Sequence, residues 1–478
     1  MLMWNRIETI LLSFKNQFSR EAAFRWFCVI VVGFMLRSDH LGITSIIRDL
    51  ALDGNNYENL RHFFYSTAWT LDRLRHCWYT VVRDSGLVHT VNGRSVLAGD
   101  GVKQSKEAKY MPGVKKLAQE SEDSSKPDYI FGHMFGAIGV VLGKAQLCCS
   151  LMFSIQEGLK SVSEWKGSFV SGESHAIQIV NNLFDAAKIF GKSYGLLDRL
   201  FLCVPVLKRL KELNRAHDLK ENLLEIVTKA KSNCVAYEKA VLPEKRGKGR
   251  PRVKGDKIHL KDLGENEKQF TSATAFVYGK EETVKYYCIN LLWGKGIYQE
   301  LRFVLTKLNG ARSILVSTDL SLSPIQIIEL YARRFKIENC FREFKQQFGG
   351  FCYHFWTKKL PKLNKFKKKD VPDPVDLITD GYDRKLILSK LRAIEGFVLV
   401  ANIAMGITQM LSLSMSYQSE VMKNRYLRTV VETRISEATV MCYFRKNIFA
   451  LLLRHSDSPI THFIREKQPR IIDDLKSA

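Results

Sequence analysis

Four polar residues in the stretch YARRFKIENCFREFKQQFGG, residues 331–350, have side chains suited to phosphate chemistry. They are Tyr331, Arg334, Glu338 and Lys345. At roughly 100° per residue of helix, all four project within an arc of roughly 60°. Arg334 and Arg342 lie four residues on either side of Glu338, so the helix by itself is also explained by a run of i,i+4 ion pairs.

Two other acidic residues suggest that Glu338 is a metal ligand rather than an ion-pair partner. Asp100 in "RSVLAGDG" and Asp198 in "YGLLDRLF" each follow a short apolar run, which predicts that both lie at the ends of strands of one sheet. Three converging carboxylates repel one another, and a divalent cation relieves the repulsion. Oxygen ligands favour Mg²⁺ or Mn²⁺, and two such ions can promote phosphoryl transfer.

Simpler interpretations of the aspartates remain open. Asp100 could be a turn residue between two glycines, and Asp198 could be neutralised by Arg199. Asp319 in "STDLSLS" is a competing acid, but it precedes a helix start, so we expect it to serve as a loop or capping residue.

Composition indicates an anionic partner. The 478 residues include 73 Lys and Arg against 49 Asp and Glu, a formal net charge of +24. A nucleic acid explains this excess most simply, although a ribosomal or membrane-surface role would also explain it. The ten cysteines contain no CxxC pair, which argues against zinc fingers and a disulfide framework.

The helix that carries the four polar residues has recognisable start and stop signals in the sequence. Ser323, Pro324 and Gln326 form the pattern of a capping box with proline at the first helical position, and two glycines follow Phe348. They predict one helix over about 324–348. The apolar run "WFCVIVVGFML" is too short to span a bilayer and predicts a buried helix in a cytoplasmic protein.

Changes in residue composition and in hydrophobic periodicity along the chain predict an α/β protein in five parts. They are a helical DNA-binding domain (1–90), the first part of a catalytic core (91–237), a β-rich insertion (238–312), the second part of the core (313–356), and a basic linker with a helical C-terminal region (357–478).

Tyr331, Arg334, Glu338 and Lys345 match, in type and spacing, the Tyr-Arg-Glu-Lys signature of bacterial insertion-sequence DDE transposases. "LAGDG" and "LLDR" resemble that family's first and second catalytic aspartate segments, in the same order. The resemblance covers roughly residues 94–356.

This resemblance implies a ribonuclease-H-like mixed sheet flanked by helices, with two Mg²⁺ or Mn²⁺ ions on Asp100, Asp198 and Glu338. It implies cleavage at the ends of an element and joining of the released 3′-OH to target DNA. The implied partners are double-stranded DNA, both terminal repeats and target, and a second copy of the chain in a synaptic complex. The implied location is the bacterial nucleoid, with no membrane.

Further DNA contacts are expected from other residues. The resemblance implies DNA contacts for Tyr331, Arg334 and Lys345 and places Arg199 beside the metal centre, and we expect Arg342 to contact phosphate. The segment "GKGRPR", with Arg250 and Arg252, resembles the core of an AT-hook, although an exposed basic loop explains it equally well.

An aromatic residue could also stack on a flipped base. Trp293 is the first candidate, unless the sheet buries it, and Trp356 is the second. The lysine-rich segment 358–369 is expected to contact phosphates.

Two alternative functions remain. One is a nuclease of the same core fold that lacks strand transfer. The other is a protein that binds DNA ends without cutting them, against which the three intact acids argue.

Overall fold

The structure is a computed structural model that describes most of the chain. The described residues are 2–39, 42–119, 125, 127–144, 147–156, 165, 174–217, 220–240, 252–265, 267–366, 371, 374–414, 421 and 435–469. Arg250 and Lys367 to Lys369 lie outside them.

The described strands form one mixed sheet. They are β1 (Thr90–Val91), β2 (Arg94–Ser105), β3 (Lys115–Ala118), β4 (Tyr129–Leu142), β5 (Leu147–Ile155), β6 (Ser193–Leu196), β7 (Leu224–Ala230), β8 (Val235–Tyr237), β9 (Lys257–His259), β10 (Thr271–Val277), β11 (Lys280–Trp293), β12 (Gln299–Leu308) and β13 (Ala311–Ser317). The order is β3-β4-β2-β6-β7-β13-β12-β11-β8-β9, with β5 beside β4, β10 beside β11 and β1 beside β2. Among the described strands, only the β2–β6 and β6–β7 pairs are parallel.

The α-helices of the described residues flank this sheet. They are α1 (Leu2–Leu12), α2 (Glu21–Leu36), α3 (Thr44–Asp49), α4 (Tyr57–Phe63), α5 (Leu71–Asp84), α6 (His175–Phe190), α7 (Val204–Ala216), α8 (Leu260–Leu263), α9 (Pro324–Arg334), α10 (Lys336–Gln346), α11 (Gly381–Ser412), α12 (Glu437–Arg454) and α13 (Pro459–Arg465). The expectation of an α/β protein with a mixed sheet flanked by helices is therefore confirmed.

The two faces of β2 meet different helices. A Cβ placed on Gly99 would lie 2.8 Å from the side chain of Ile179, so α6 packs closely on that face. Successive side chains of a strand point to opposite faces. Asp100 accordingly points away from α6, towards α9 and α10, and its carboxylate meets Arg334 there.

The hydrophobic run of α2 forms a buried helix, as expected: its residues from Phe27 to Leu36 are all buried. Helix α11 crosses the core beside β5. It is the one helix in the described part of the chain that is long and apolar enough to span a membrane, yet 94% of its apolar window is buried inside the protein. Buried core helices commonly pass this test.

Two details of the predicted elements are wrong. Asp100 lies in the middle of β2, not at its end, because antiparallel pairing with β4 continues the strand to Ser105 after the parallel pairing with β6 stops at Ala98. The predicted helix 324–348 is two helices. They meet at Phe335, where Glu338 N–H donates to the Phe335 carbonyl three residues back.

The predicted ends of this helical region are confirmed. Ser323 and Gln326 form both halves of a capping box, with Pro324 in the first turn. At the other end, Gly350 N–H donates to the Phe344 carbonyl, and Gly349 has φ of +52°, a conformation that favours glycine.

Candidate active site

Arg334 joins two of the three predicted acids. Its Nη2 donates to Asp100 Oδ2 at 2.6 Å, and its Nη1 donates to Glu338 Oε1 at 2.7 Å. The side chains of Arg334 and Asp100 are only 15% and 16% exposed, whereas that of Glu338 is 42% exposed. Residues 234 positions apart in the chain thus form a charged cluster that is closed on the side of the sheet and open on the side of Glu338.

Asp198 is fixed by its backbone and by its own side chain. It caps the 3-10 turn Arg199–Phe201, since its Oδ1 accepts a hydrogen bond from Leu200 N–H at 2.8 Å. Its carbonyl accepts from Thr228 Oγ1 at 2.6 Å, which ties it to β7. Its position just after β6 agrees with the sequence prediction. Thr228 has no signal in the sequence, because its role depends on the pairing of β6 with β7.

The three acids influence one another electrostatically. Burial raises the pKa of Asp100 to about 6, Arg334 and the Gly101 N–H oppose this, and the charges of Asp198 and Glu338 raise the pKa further. Asp198 and Glu338 therefore lie close enough to Asp100 to repel it. That the three acids converge on one metal centre stays a prediction.

Arg334 compensates much of that negative charge. Burial lowers its pKa, but Asp100 and Glu338 outweigh burial, so the net shift is upward and the guanidinium stays charged. Its Nε is buried without a hydrogen-bond partner among the described residues. The Nε–H of the bridging guanidinium is therefore a donor that no described protein group uses.

Tyr331 belongs to the same cluster. Burial raises the pKa of its phenol to about 12, with Asp198 and Glu338 adding to the rise and Arg334 opposing it. The hydroxyl consequently stays protonated and is able to donate a hydrogen bond at neutral pH.

The donor set suits a hard divalent cation by chemistry. Asp100, Asp198 and Glu338 present only carboxylate oxygens, and the charges of Asp198 and Glu338 add to the rise that burial causes in the pKa of Asp100. In the described part of the chain, no group of three acidic, histidine or cysteine side chains is arranged to hold a metal. The bridging Arg334 occupies the place where the two carboxylates approach each other.

The other predicted contacts are more dispersed. Lys345 Nζ donates to the Lys103 carbonyl at 3.2 Å and so ties α10 to β2. Arg342 is exposed and lies 3.5 Å from Glu343 rather than pairing with Glu338. Arg252 is exposed on a loop, whereas Arg250 lies outside the described residues.

The two tryptophan candidates differ in exposure. Trp293 is half-buried, packs with the side chains beneath β11 and β12, and donates its indole N–H to Cys234 Sγ at 3.2 Å. Trp356 is 52% exposed. The sheet therefore partly buries Trp293, which favours a packing role for this residue over stacking on a flipped base.

Asp319, which was expected to serve in a loop or cap, and His133 both have structural roles. Asp319 acts within its loop, accepting hydrogen bonds from Ser321 N–H and Oγ and from the Tyr194 hydroxyl. His133 is a buried structural residue whose ring nitrogens contact the Tyr353 hydroxyl and the Pro112 carbonyl.

Comparison with known protein families bears on this cluster. Residues 188–352 match the family model of a transposase DDE domain. The matched segment contains Asp198 and Glu338 together with the Tyr331 and Arg334 positions, and it begins after Asp100. No curated protein and no solved structure gave a significant match. The match supports a DDE transposase and, with it, an enzyme that acts on DNA.

Proposed function

We propose that the chain is a DNA transposase of the Tyr-Arg-Glu-Lys subgroup, carried by a bacterial insertion sequence and acting at the nucleoid. The observation that carries the proposal is the electrostatic cluster of Asp100, Asp198 and Glu338 around Arg334, within a chain of net charge +24. The mixed sheet with parallel β2, β6 and β7 is compatible with a ribonuclease-H-like core.

Asp100, Asp198 and Glu338 are the proposed ligands of two Mg²⁺ or Mn²⁺ ions. Bound there, the ions would lower the pKa of an attacking oxygen and neutralise the leaving one. Arg334 now holds Asp100 and Glu338 together by two hydrogen bonds. When metal ions replaced it at the carboxylates, the guanidinium would turn towards a phosphate oxygen. Arg can bind phosphate with the same two N–H donors that it uses for a carboxylate.

The proposed reaction has two displacements at phosphorus. Water attacks the phosphodiester at the element end, the P–O3′ bond breaks, and the 3′ oxygen leaves with a proton as a 3′-OH. That 3′-OH then attacks a target phosphodiester, forming a new P–O3′ bond as the target's own P–O3′ bond breaks. The Tyr331 hydroxyl, protonated at neutral pH, would donate a hydrogen bond to a non-bridging oxygen.

The remaining regions have proposed supporting roles. Helices α1 to α5 would bind the terminal repeats, and α11 to α13 would contribute to a homodimer in the synaptic complex. Lys345 and Arg342 would contact the DNA end, and Trp356, the more exposed of the two tryptophan candidates, would stack on a flipped base.

The decisive experiment compares the native chain with Glu338→Gln on DNA that carries candidate terminal repeats, in the presence of Mg²⁺. We expect the native protein to cut at the repeat ends and join them to target, and the variant to lose both reactions. Glu343→Gln, on the same helix, is the matched control and should retain activity. If Glu338→Gln cleaves as well as the native chain, its assigned role is wrong.

The same assay separates the alternatives. Cutting without joining would identify a nuclease of this fold, and specific binding of the ends without either reaction would identify a non-catalytic end-binding protein.

A further inference from the structure

A fully buried arginine lies at the end of α2. Arg37 has no exposed surface, and its Nη1 donates to the Gly349 carbonyl at 3.4 Å. Its Nε and Nη2 are buried without a hydrogen-bond partner among the described residues. The nearby acids Asp39 and Asp49 both pair with Arg48, at 2.6 and 2.9 Å. A buried cation with unused donors is costly unless a negative charge lies beside it.

The side chain of Cys352 lies beside this arginine. Burial lowers the pKa of Arg37, and Cys352 opposes this effect most strongly, ahead of Asp39. Cys352 N–H donates to the Gly349 carbonyl, which Arg37 also contacts, at 2.9 Å. This turn follows α10, so the thiol lies directly after the helix that carries Glu338. A negative charge on Cys352 Sγ would face the donors that Arg37 leaves unused.

A second cation holds the backbone around Cys352. Lys106 Nζ donates to the carbonyls of the two neighbouring residues, Phe351 and Tyr353. Burial lowers the pKa of Lys106 to about 8, and the charge of Cys352 opposes this effect. The thiolate is the reactive form of cysteine, and neighbouring cations favour it. Cys352 therefore has the surroundings of a reactive thiol.

Cys352 is accessible through a cavity. The cavity volume is about 400 Å³, within the roughly 300–1,000 Å³ typical of ligand sites. Cys352 is partly exposed there and shares the lining with Lys390, which lies over the ring of Tyr65 at 4.1 Å. Arg61 also lines the cavity but is paired with Glu58. Among the described residues, no Asp or Glu lines this cavity, so a carboxylate that enters it meets the cation of Lys390.

Most of the other cysteines are shielded. Five are buried, namely Cys28, Cys77, Cys148, Cys149 and Cys340. Burial also raises the pKa of the Cys234 and Cys288 thiols. Cys203 and Cys442 are the remaining partly exposed cysteines, and they provide reference thiols within the same chain.

We propose that Cys352 is a modification site that forms a reversible mixed disulfide with small disulfides carrying carboxylates. Its sulfur attacks one sulfur of the reagent, a new S–S bond forms, and the reagent's own S–S bond breaks. The second half of the reagent leaves as a thiolate. Cys352 is thus oxidised and the leaving thiol is reduced without another oxidant. This inference does not depend on the proposed function.

The test treats the full native chain with glutathione disulfide at neutral pH and locates the adducts by mass spectrometry of its peptides. We expect Cys352 to form the mixed disulfide at least about tenfold faster than Cys203 and Cys442, because neighbouring cations raise its reactive fraction. The comparison is made within one native chain, so misfolding of a variant cannot cause the difference. Equal rates at the three cysteines would overturn the proposal.

A second measurement tests the preference for carboxylates. Cystamine is a small disulfide that carries amines instead. The ratio of the glutathione disulfide rate to the cystamine rate should be severalfold higher at Cys352 than at Cys442. Lys390→Met should lower this ratio at Cys352, whereas Lys385→Met, at an exposed position on the same helix, should leave it unchanged. Equal ratios at the two cysteines of the native chain would show that the cavity does not select the reagent, against the proposal.

A third measurement tests the cation beside the thiol. Lys106→Met should slow the reaction of Cys352 severalfold, and Lys106→Arg, which keeps the charge, should retain the native rate. Lys109→Met removes an exposed charge from the same segment and should have no effect. The Tm of each variant shows whether it is folded. An unchanged rate in folded Lys106→Met would contradict the role given to this cation.

Discussion

The metal-free protein should become more stable when Asp100 loses its charge. Its pKa rises from the usual 3.8 to about 6, chiefly because the carboxylate is buried. At about 1.36 kcal/mol per pH unit, keeping Asp100 ionised at pH above 7 costs on the order of 3 kcal/mol. Asp100→Asn removes the charge. Its amide oxygen can still accept a hydrogen bond from Arg334, but the hydrogen bond from Gly101 N–H to Oδ1 is lost, so the change of its advantage with pH reports on the charge.

The pH dependence has a definite sign. Because the folded state binds the proton more tightly than the unfolded chain does, the native protein loses stability as pH rises from about 4 to about 6 and remains destabilised above that. Asp100→Asn lacks this loss. The advantage of the variant should therefore be absent near pH 4 and greatest above pH 7.

Thermal unfolding with a chelator, measured across this range, provides the assay. For a chain of this length, the entropy of unfolding makes 1 kcal/mol equivalent to about 1 °C, so the expected gain in Tm is about 3 °C. Asp185→Asn, at an exposed position on α6, is the matched control and should show no such gain. A difference between native and Asp100→Asn that does not change with pH would refute the reasoning.

Two other substitutions test the site and the core. Arg334→Gln should lower the Tm of the metal-free protein at neutral pH, since it removes the cation that joins two buried or half-buried carboxylates. Added Mg²⁺ should raise the Tm of this variant more than that of the native chain. An equal rise in both proteins would contradict the metal assignment. Gly406→Ala should destabilise the packing of α11, because the new Cβ would lie 2.1 Å from the buried ring of Trp78. Gly381→Ala, where nothing lies within 4 Å of the new Cβ, should leave the Tm nearly unchanged. Similar losses of Tm in both variants would show that crowding at Trp78 is not the cause.

Local features of the fold could be predicted from local patterns. The capping box at Ser323 and the glycines after Phe348 were readable because capping depends on residues within one turn. The burial of α2 followed from its unbroken apolar run. The break at Phe335 was not readable, since Arg334 and Glu338 keep helical spacing on either side of it.

The same distinction between local patterns and long-range pairing applies to the candidate site. Residue type and helical period grouped Tyr331, Arg334 and Glu338 on one face, and the position of Asp198 after a short strand was also evident. Pairing across the sheet decided that Asp100 lies in mid-strand and that its carboxylate meets Arg334.

By itself, the sequence determined the helix face, its caps, the order of the acids and the large positive charge. The tertiary structure alone decided that Arg334 lies between Asp100 and Glu338. The physical reason is strand register: which residues become neighbours across a sheet depends on pairings between segments far apart in the chain, and periodicity within one segment carries no record of them.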